Sequence, residues 1–314
     1  MKLPSLQDIR DAHVRIKPFI HRTPVLSSRQ LNEMFGCSMF FKCENFQKAG
    51  AFKFRGATNA VLSLTEDEKR RGVVTHSSGN HAAALALAAR MNGVKAHIVM
   101  PETAPVVKKN AVAGYGGIIT FCKPTLESRE GTTMKIMEES GATLVHPYDN
   151  FNVICGQGTA ALELLEDRDD LDIVVAPVGG GGLLSGTSTS VKGINGNIKM
   201  IAAEPVNAND AYKSFTTGQI VPSVNPVTVA DGLLTSLSDL TFTIIRKNVD
   251  VILTASEESI IECMLLVWER MKVVIEPSSA TVLAIIKENR EVFRGKKVGL
   301  IFSGGNVDFR KLPF

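Results

Sequence analysis

The 314-residue sequence has few of the features that mark several broad classes of protein. Its five cysteines are scattered and form no CxxC pair, so neither a disulfide framework nor a zinc site is indicated. No segment approaches the roughly 18 uninterrupted apolar residues of a membrane-spanning helix. The first dozen residues contain acids and no apolar core, which is not the pattern of a signal peptide. We therefore expect a cytoplasmic protein with reduced thiols and no membrane association.

The sequence also lacks a strong excess of charge of one sign. It has 35 Lys and Arg residues against 32 Asp and Glu residues, they are interspersed, and the formal net charge is only +3. Nucleic acids and anionic membranes are bound by basic stripes or patches, which are missing here. We therefore expect neither of them as a partner.

What the sequence does contain is an alternation of short, β-branched runs with longer segments of helical period. Runs such as DIVVAP (172–177) and KVGLIFS (297–303) have the length and composition of buried strands. The segment 257–272 has the spacing of an amphipathic helix. Strands and helices in alternation predict an α/β fold, with parallel sheets flanked by helices.

Two polar turns, at 65–72 and 146–150, are the best candidates for domain boundaries. The block between them holds about four strand–helix alternations, enough for a small α/β domain. We expect a small domain of residues 71–148 inserted into a large domain of residues 1–70 and 149–314. A crevice between two such domains, at the carboxyl ends of parallel strands, is where a ligand is expected.

A run of four glycines is the strongest local motif. Gly179, Gly180, Gly181 and Gly182 follow a buried-strand run and precede a predicted helix. Without β-carbons, backbone N–H groups can converge on an anion, and the helix adds its positive amino-terminal end. The pattern is neither GxGxxG nor a Walker loop, so it indicates a single phosphate. The alternative is a tightly turning loop without a ligand.

A lysine lies in a second glycine-flanked segment, QKAGAFKFRGATNAV (47–61). Lys53 stands between Phe52 and Phe54, where partial desolvation would favour the neutral amine that condenses with carbonyl groups. The alternative is a surface lysine whose two aromatic neighbours lie in the core.

A polar turn, THSSGNHAAALALAA (75–89), joins a predicted strand to a predicted helix. It places Ser77, Ser78, Asn80 and His81 at the start of the helix. Such side chains can cap a helix, but there are more of them than capping needs. They are therefore candidate ligand-binding residues.

Taken together, these motifs resemble the fold-type II family of pyridoxal-phosphate enzymes, the serine/threonine dehydratase–serine racemase group. The resemblance runs through almost the whole chain in order: ENFQKAGAFKFRGA, THSSGNHAAAL, GQGTAALEL, PVGGGGLLSG, AAEPVNAND, VADG, ERMKVVIEPSSA and FSGGNVD. Within the family, the motifs are most similar to those of eukaryotic-type serine racemases, and they also occur in threo-3-hydroxyaspartate dehydratases. The resemblance implies a two-domain fold like that of the tryptophan synthase β subunit, in a homodimer.

The resemblance also implies how pyridoxal phosphate is held. Lys53 would bind it as a Schiff base, Asn80 would bond its 3′-oxygen, and Ser303 would face its ring nitrogen. A hydroxyl cannot keep that nitrogen protonated as a carboxylate does, so the cofactor is a weaker electron sink, which favours elimination or reprotonation over transamination. The implied cofactor-binding positions are Phe52, Lys53, Asn80, Gly179, Gly180, Gly181, Gly182, Gly232 and Ser303.

Two residues are implied as the catalytic pair. Racemisation needs a proton donor–acceptor on each face of a planar carbanion. Lys53 serves one face, and Ser78, in HSSGNH, matches the residue that serves the other face in serine racemases. Threonine dehydratases typically have alanine at this position, whereas hydroxyaspartate dehydratases share the serine. The alternatives for Ser78 are a helix cap and a ligand of the substrate carboxylate.

The resemblance further implies a substrate site. The carboxylate would meet the start of the helix after the polar turn. Arg129 matches a basic position near the substrate, with an exposed helical arginine as the alternative, and Tyr148 is more typical of dehydratases. The implied substrate-binding positions are Ser77, Ser78, Asn80, His81, Arg129 and Thr235.

A divalent-cation site is implied by the EPVNAND motif. Glu204 and Asp210 would supply carboxylates and Ala208 its backbone carbonyl. Ligands that are all oxygen favour a hard ion such as Mg²⁺, Mn²⁺ or Ca²⁺. The alternative is a solvated acidic loop.

Some serine racemases bind ATP. Some positions of this sequence match the pattern of those racemases, and others depart from it. The compatible positions are Lys48, Tyr115 and Lys272, and the departures are Ala49, Ala83 and Arg29.

The function that follows is a racemase interconverting L- and D-serine, which also eliminates serine to pyruvate and ammonia. The enzymatic alternative is a dehydratase of L-serine, L-threonine or threo-3-hydroxyaspartate with little racemase activity. The non-enzymatic alternative is a sensor that binds an amino acid or the cofactor.

Overall fold

The computed structural model describes residues 2–312 and contains two sheets flanked by helices. The strands in this part of the chain are β1 (Val25–Leu26), β2 (Ser38–Cys43), β3 (Val73–His76), β4 (Ala96–Pro101), β5 (Ile118–Cys122), β6 (Thr143–Leu144), β7 (Ile173–Pro177), β8 (Lys199–Pro205), β9 (Val251–Ala255) and β10 (Lys297–Phe302). The helices are α1 (Leu6–Ile16), α2 (Arg29–Phe35), α3 (Lys53–Leu62), α4 (Glu66–Arg71), α5 (Asn80–Met91), α6 (Val106–Gly114), α7 (Leu126–Ser140), α8 (Phe151–Asp167), α9 (Gly182–Ile194), α10 (Asp210–Thr217), α11 (Asp239–Asn248), α12 (Glu257–Met271), α13 (Pro277–Glu288) and α14 (Arg290–Phe293).

The larger sheet has the strand order β1-β2-β10-β7-β8-β9. Its pairings are parallel except for the edge strand β1, which runs antiparallel to β2. Strand β10 lies in the interior, where Val298 pairs with Met39 on one side and Ile173 on the other. All five residues of β7 are buried, as expected for a strand covered by helices on both faces.

The smaller sheet has the order β5-β4-β3-β6 and is parallel throughout. Its four strands all come from residues 73–144, between the two turns identified in the sequence. Separate apolar cores form on the two sheets: one contains Phe41, Leu300 and Phe302, and another contains Val73, Leu85 and Ile98. The α/β prediction is confirmed, and the domain limits at 71 and 148 stay a prediction.

Within residues 2–312, no helix is both long and apolar enough to cross a membrane.

Candidate active site

Lys53 is the first residue of α3, held at the junction of several loops. Its Nζ donates a hydrogen bond to the Pro147 carbonyl oxygen at 3.0 Å and lies 5.1 Å from the centre of the Phe52 ring. Burial lowers the pKa of Lys53 to about 8, although the nearby Glu276 carboxylate opposes the shift. At neutral pH a larger fraction of this amine is therefore neutral than for an exposed lysine, as a nucleophilic lysine requires.

The tetraglycine run forms the loop between β7 and α9. A β-carbon on Gly180 would lie 2.4 Å from Cδ1 of Tyr148, and Gly181 has a φ of +87°, so neither position accepts a side chain without strain. No side chain caps the amino terminus of α9, which leaves its first N–H groups available to a ligand. The loop therefore has the features of a phosphate site: bare backbone and an open helix end.

The polar turn lies between β3 and α5. The residue before α5 is Gly79, and no side chain caps this helix, so Ser78 does not act as its cap. The Ser77 hydroxyl accepts a 3.4 Å hydrogen bond from the Gly79 N–H. Burial lowers the pKa of His81 to about 3, and its Nε2 lies 3.0 Å from the Val145 carbonyl oxygen, so a neutral ring donates from Nε2.

Asn80, the first residue of α5, is oriented by a buried carboxylate that the sequence analysis did not identify. Its Nδ2 donates to both oxygens of Glu276, at 3.0 and 3.1 Å, while its Oδ1 accepts from Nδ2 of Asn306 at 2.9 Å. Glu276 is 4% exposed, and burial raises its pKa to about 7. Glu276 lies in the EPSSA part of a quoted motif, but nothing local distinguishes it from a helix-terminal acid.

Ser303 follows β10 and is 2% exposed. Its carbonyl oxygen accepts a hydrogen bond from the Phe52 N–H at 2.9 Å, which joins the FSGGNVD loop to the residue before Lys53. Its hydroxyl oxygen lies 3.0 Å from that of Ser279, a second residue that the sequence analysis did not identify. The Gly232 N–H donates to the neighbouring Ser278 hydroxyl at 3.0 Å, so the VADG segment also contacts the start of α13.

The predicted substrate residues Arg129 and Thr235 approach the site from different elements. Arg129, on α7, is half-buried, and its Nε has no hydrogen-bond partner among residues 2–312. Burial lowers the pKa of His76, and the charge of Arg129 adds to that shift. Thr235 is exposed. Burial raises the pKa of the Tyr148 phenol, and Thr235 lowers it. His146 packs edge-on to the Tyr148 ring, with the ring centres 4.6 Å apart.

The predicted cation residues lie together at the end of β8. The Glu204 carboxylate accepts from the N–H groups of Ala211 and Tyr212 at 2.8 and 2.7 Å. Burial raises the pKa of Glu204 to about 8 and that of Asp210 to about 6, and Oδ2 of Asp210 has no partner in the described residues. Together with the backbone of the buried Ala208, this oxygen set suits a hard divalent cation.

Three of the six positions considered for ATP line one cavity of about 420 Å³, together with Asn80, Lys108 and Asn306. These three are Ala49, Ala83 and Tyr115, whereas Lys48, Lys272 and Arg29 are not among its lining residues. Lys48 instead donates to the Phe19 carbonyl oxygen at 2.5 Å.

Comparisons with known proteins agree with this geometry. The sequence model of the family described as "Pyridoxal-phosphate dependent enzyme" matches residues 16–304. The serine racemase of Dictyostelium discoideum is 51% identical, over 99% of this chain and 98% of the relative. The beta-hydroxyaspartate dehydratase of Paracoccus denitrificans is 52% identical over the full length of both chains. The solved structure of maize serine racemase superposes with a TM-score of 0.97 at 44% identity, covering 98% of this chain and 95% of that one.

The site fits the cofactor of that family on the features of this structure alone. A half-buried lysine of lowered pKa can condense with an aldehyde, and a side-chain-free loop at an open helix end can hold a phosphate. With that fit, and with the match over most of its length, the chain belongs to the fold-type II family of pyridoxal-phosphate-dependent enzymes.

Proposed function

We propose that this protein racemises serine and eliminates serine to pyruvate and ammonia, with pyridoxal phosphate bound to Lys53. The observation that carries the proposal is that Lys53 is desolvated while the Ser78 hydroxyl is not used to cap α5. Close relatives named serine racemase support it.

Each of the site residues has a different role in this reaction. Pyridoxal phosphate, when bound, supplies the electron sink that makes the α-proton of an amino acid acidic. Lys53 accepts that proton in its neutral form and Ser78 serves as donor–acceptor on the other face. The open start of α5, with Ser77 and Asn80, binds the substrate carboxylate. His81 stays neutral because of its low pKa and so adds no charge there.

The cofactor contacts follow from the same arrangement. The backbone of Gly179, Gly180, Gly181 and Gly182 would hold the phosphate, with Phe52 against the ring and Gly232 lining the pocket. Asn80 would meet the 3′-oxygen with its side-chain amide, whose orientation is fixed by Glu276 and Asn306. Ser303 would meet the ring nitrogen.

A chiral amino-acid assay run beside a keto-acid assay tests the proposal. With L-serine, we expect both D-serine and pyruvate. Ser78→Ala should lose racemisation while keeping much of the elimination of L-serine. Abundant pyruvate without D-serine from the unaltered enzyme would refute the racemase function, and equal loss of both products in the variant would remove the role of Ser78.

A dehydratase of 3-hydroxyaspartate is the second candidate, and Arg129 favours it. A half-buried guanidinium with an unpartnered Nε can receive the second carboxylate of such a substrate. The relative named beta-hydroxyaspartate dehydratase supports this alternative. The two candidates are separated by measuring kcat/KM for L-serine, L-threonine and threo-3-hydroxyaspartate in the unaltered enzyme and in Arg129→Met. The substitution should greatly lower kcat/KM only for the dicarboxylic substrate.

The proposal also covers the cellular location, the oligomeric state, the domains and the metal site of the enzyme. We propose a cytoplasmic homodimer in which residues 71–148 form the small domain, and a divalent cation held by Glu204, Ala208 and Asp210. The unpartnered Oδ2 of Asp210 and the two raised carboxyl pKa values support the cation. Activation by ATP has less support, since the cavity is lined by alanine at Ala49 and Ala83.

A further inference from the structure

A second serine lies beside Ser303 and has no part in the mechanism above. Ser279 is on the first turn of α13 and is completely buried. Its hydroxyl oxygen lies 2.7 Å from the Gly304 carbonyl oxygen, 2.7 Å from the Gly304 nitrogen and 3.0 Å from the Ser303 hydroxyl oxygen. The Ser279 hydroxyl therefore has three polar neighbours.

The direction of each of these hydrogen bonds follows from counting protons. A serine hydroxyl has one proton to donate and two lone pairs with which to accept. A carbonyl oxygen only accepts, so the proton of Ser279 goes to Gly304, and the Gly304 N–H occupies one lone pair of Ser279. Ser279 then has only a lone pair left for Ser303. Within this group of three, Ser303 is therefore the donor and Ser279 the acceptor.

The backbone of this loop is held independently of the Ser279 hydroxyl. The Ser303 carbonyl accepts from the Phe52 N–H at 2.9 Å, and the Gly304 carbonyl accepts from the Glu276 N–H at 3.0 Å. Ala51 and Gly304 also form an antiparallel bridge. Removing the Ser279 hydroxyl should therefore act mainly on the proton of Ser303 rather than on the path of the chain.

We propose that Ser279 is a positioning residue that competes with the cofactor's ring nitrogen for the single proton of Ser303. The proposal rests on the proposed function, in which Ser303 meets that nitrogen. A hydroxyl has one proton, so with two acceptors it donates to each of them only part of the time. Each hydrogen bond is then weaker, on average, than the bond from a hydroxyl with a single acceptor. Ser279 thus weakens the hydrogen bond to the ring nitrogen and limits the electron-withdrawing power of the ring.

The test follows the ring nitrogen directly, by ¹⁵N NMR of holoenzyme reconstituted with ¹⁵N-labelled pyridoxal phosphate. Ser279→Ala frees the Ser303 proton, so the ring-nitrogen resonance should move upfield, towards a more strongly hydrogen-bonded nitrogen. In a Ser303→Ala background the same substitution should leave the resonance unchanged. Ser190→Ala is the matched control, because Ser190 is also a fully buried helical serine that donates to a carbonyl, that of Gly158 at 2.9 Å.

Two results would overturn the proposal: no movement of the resonance in Ser279→Ala, or the same movement in the Ser303→Ala background. Ser279→Ala could also fail to retain the cofactor. In that case Ser279→Thr, which keeps the hydroxyl, must retain the cofactor and show the resonance of the unaltered enzyme. If it does not, the proposal is overturned. Absorbance of the bound cofactor that disappears in Lys53→Ala is checked first. Its absence would refute the proposed function itself, whereas its presence with an unmoved resonance would refute only the role of Ser279.

Discussion

Replacing Glu163 by alanine should strongly destabilise the protein. Glu163, on α8, is 1% exposed and accepts hydrogen bonds from Lys42 at 2.7 Å and from Arg55 at 2.7 and 2.9 Å. Arg55 also donates to the buried Glu44 at 2.7 and 2.9 Å. These four charges form a closed group that ties β2 and α8 to α3, the helix that begins at Lys53.

The magnitude can be worked out in two ways. Burial alone would raise the pKa of Glu163, but the hydrogen bonds and charge of Arg55, followed by the charge of Lys42, lower it from 4.5 to about 2. That fall corresponds to about 3 kcal/mol in favour of the charged carboxylate in the folded state. Removing one partner of a buried ion pair costs about 3–5 kcal/mol, because the remaining charge stays buried without compensation. We therefore expect a loss of about 3 kcal/mol or more.

Urea unfolding followed by circular dichroism at pH 7 measures the loss. The control is Glu139→Ala, since Glu139 is a helical glutamate in an exposed ion pair with Lys135, with exposed fractions of 65% and 73%, and such pairs contribute little. The double variant Lys42→Met with Glu163→Leu should recover part of the stability, because it removes both buried charges of one pair. If the free energies of unfolding of Glu163→Ala and Glu139→Ala were equal within error, the buried group would not stabilise the fold as argued.

The contribution of Glu163 to the stability of the fold should decrease as the pH falls. Because the folded-state pKa of Glu163 is below the unfolded value, its stabilising contribution is fully present above pH 4.5 and is lost as the pH falls towards about 2. Glu163→Ala should therefore be less sensitive to acid over this interval than the unaltered protein.

Three further predictions concern the cofactor and the cation. The rate at which the apoenzyme condenses with pyridoxal phosphate should rise through pH 8 and level off above it, as Lys53 loses its proton, and a flat rate from pH 6 to 10 would contradict the lowered pKa. Gly180→Ala forces a methyl group against Tyr148 and should weaken cofactor binding about tenfold or more by fluorescence titration, for a cost of about 1–3 kcal/mol. Gly131→Ala, which meets open space, should not weaken it. Mg²⁺ or Ca²⁺ should raise the Tm of the unaltered protein but not that of Asp210→Asn, and an equal rise in both would place the cation elsewhere.

The strands and the anion loop were predictable from sequence because each depends on residues that are adjacent in the chain. The run DIVVAP corresponds to β7, and the four glycines lie at the junction with α9, as predicted. The two-residue strands β1 and β6 were not predicted, since they are too short to show a pattern.

Contacts between distant side chains could not be predicted in this way. Lys42 occupies a strand position that is completely buried. Its hydrogen bonds to Glu163, 121 residues later, and to the Thr23 carbonyl oxygen explain how a lysine is accommodated there. The buried Glu276 is similarly explained by hydrogen bonds from Asn80, 196 residues earlier, and from the Asn306 N–H. A single sequence shows neither partner, because the neighbours of a side chain are decided by the packing of whole elements.

The interior position of β10 in the larger sheet has a consequence for biosynthesis. Strand β10 separates β2 from β7, so β2 has its parallel neighbour only when residues 297–302 have been added. Pairings over such sequence distances form slowly and leave strand edges exposed in the meantime. Ser303 comes directly after β10, so we expect the proposed cofactor site to be complete only after residue 303 has been added. Until then, one edge of β2 lacks its parallel neighbour, and unpaired strand edges of this kind are prone to aggregate.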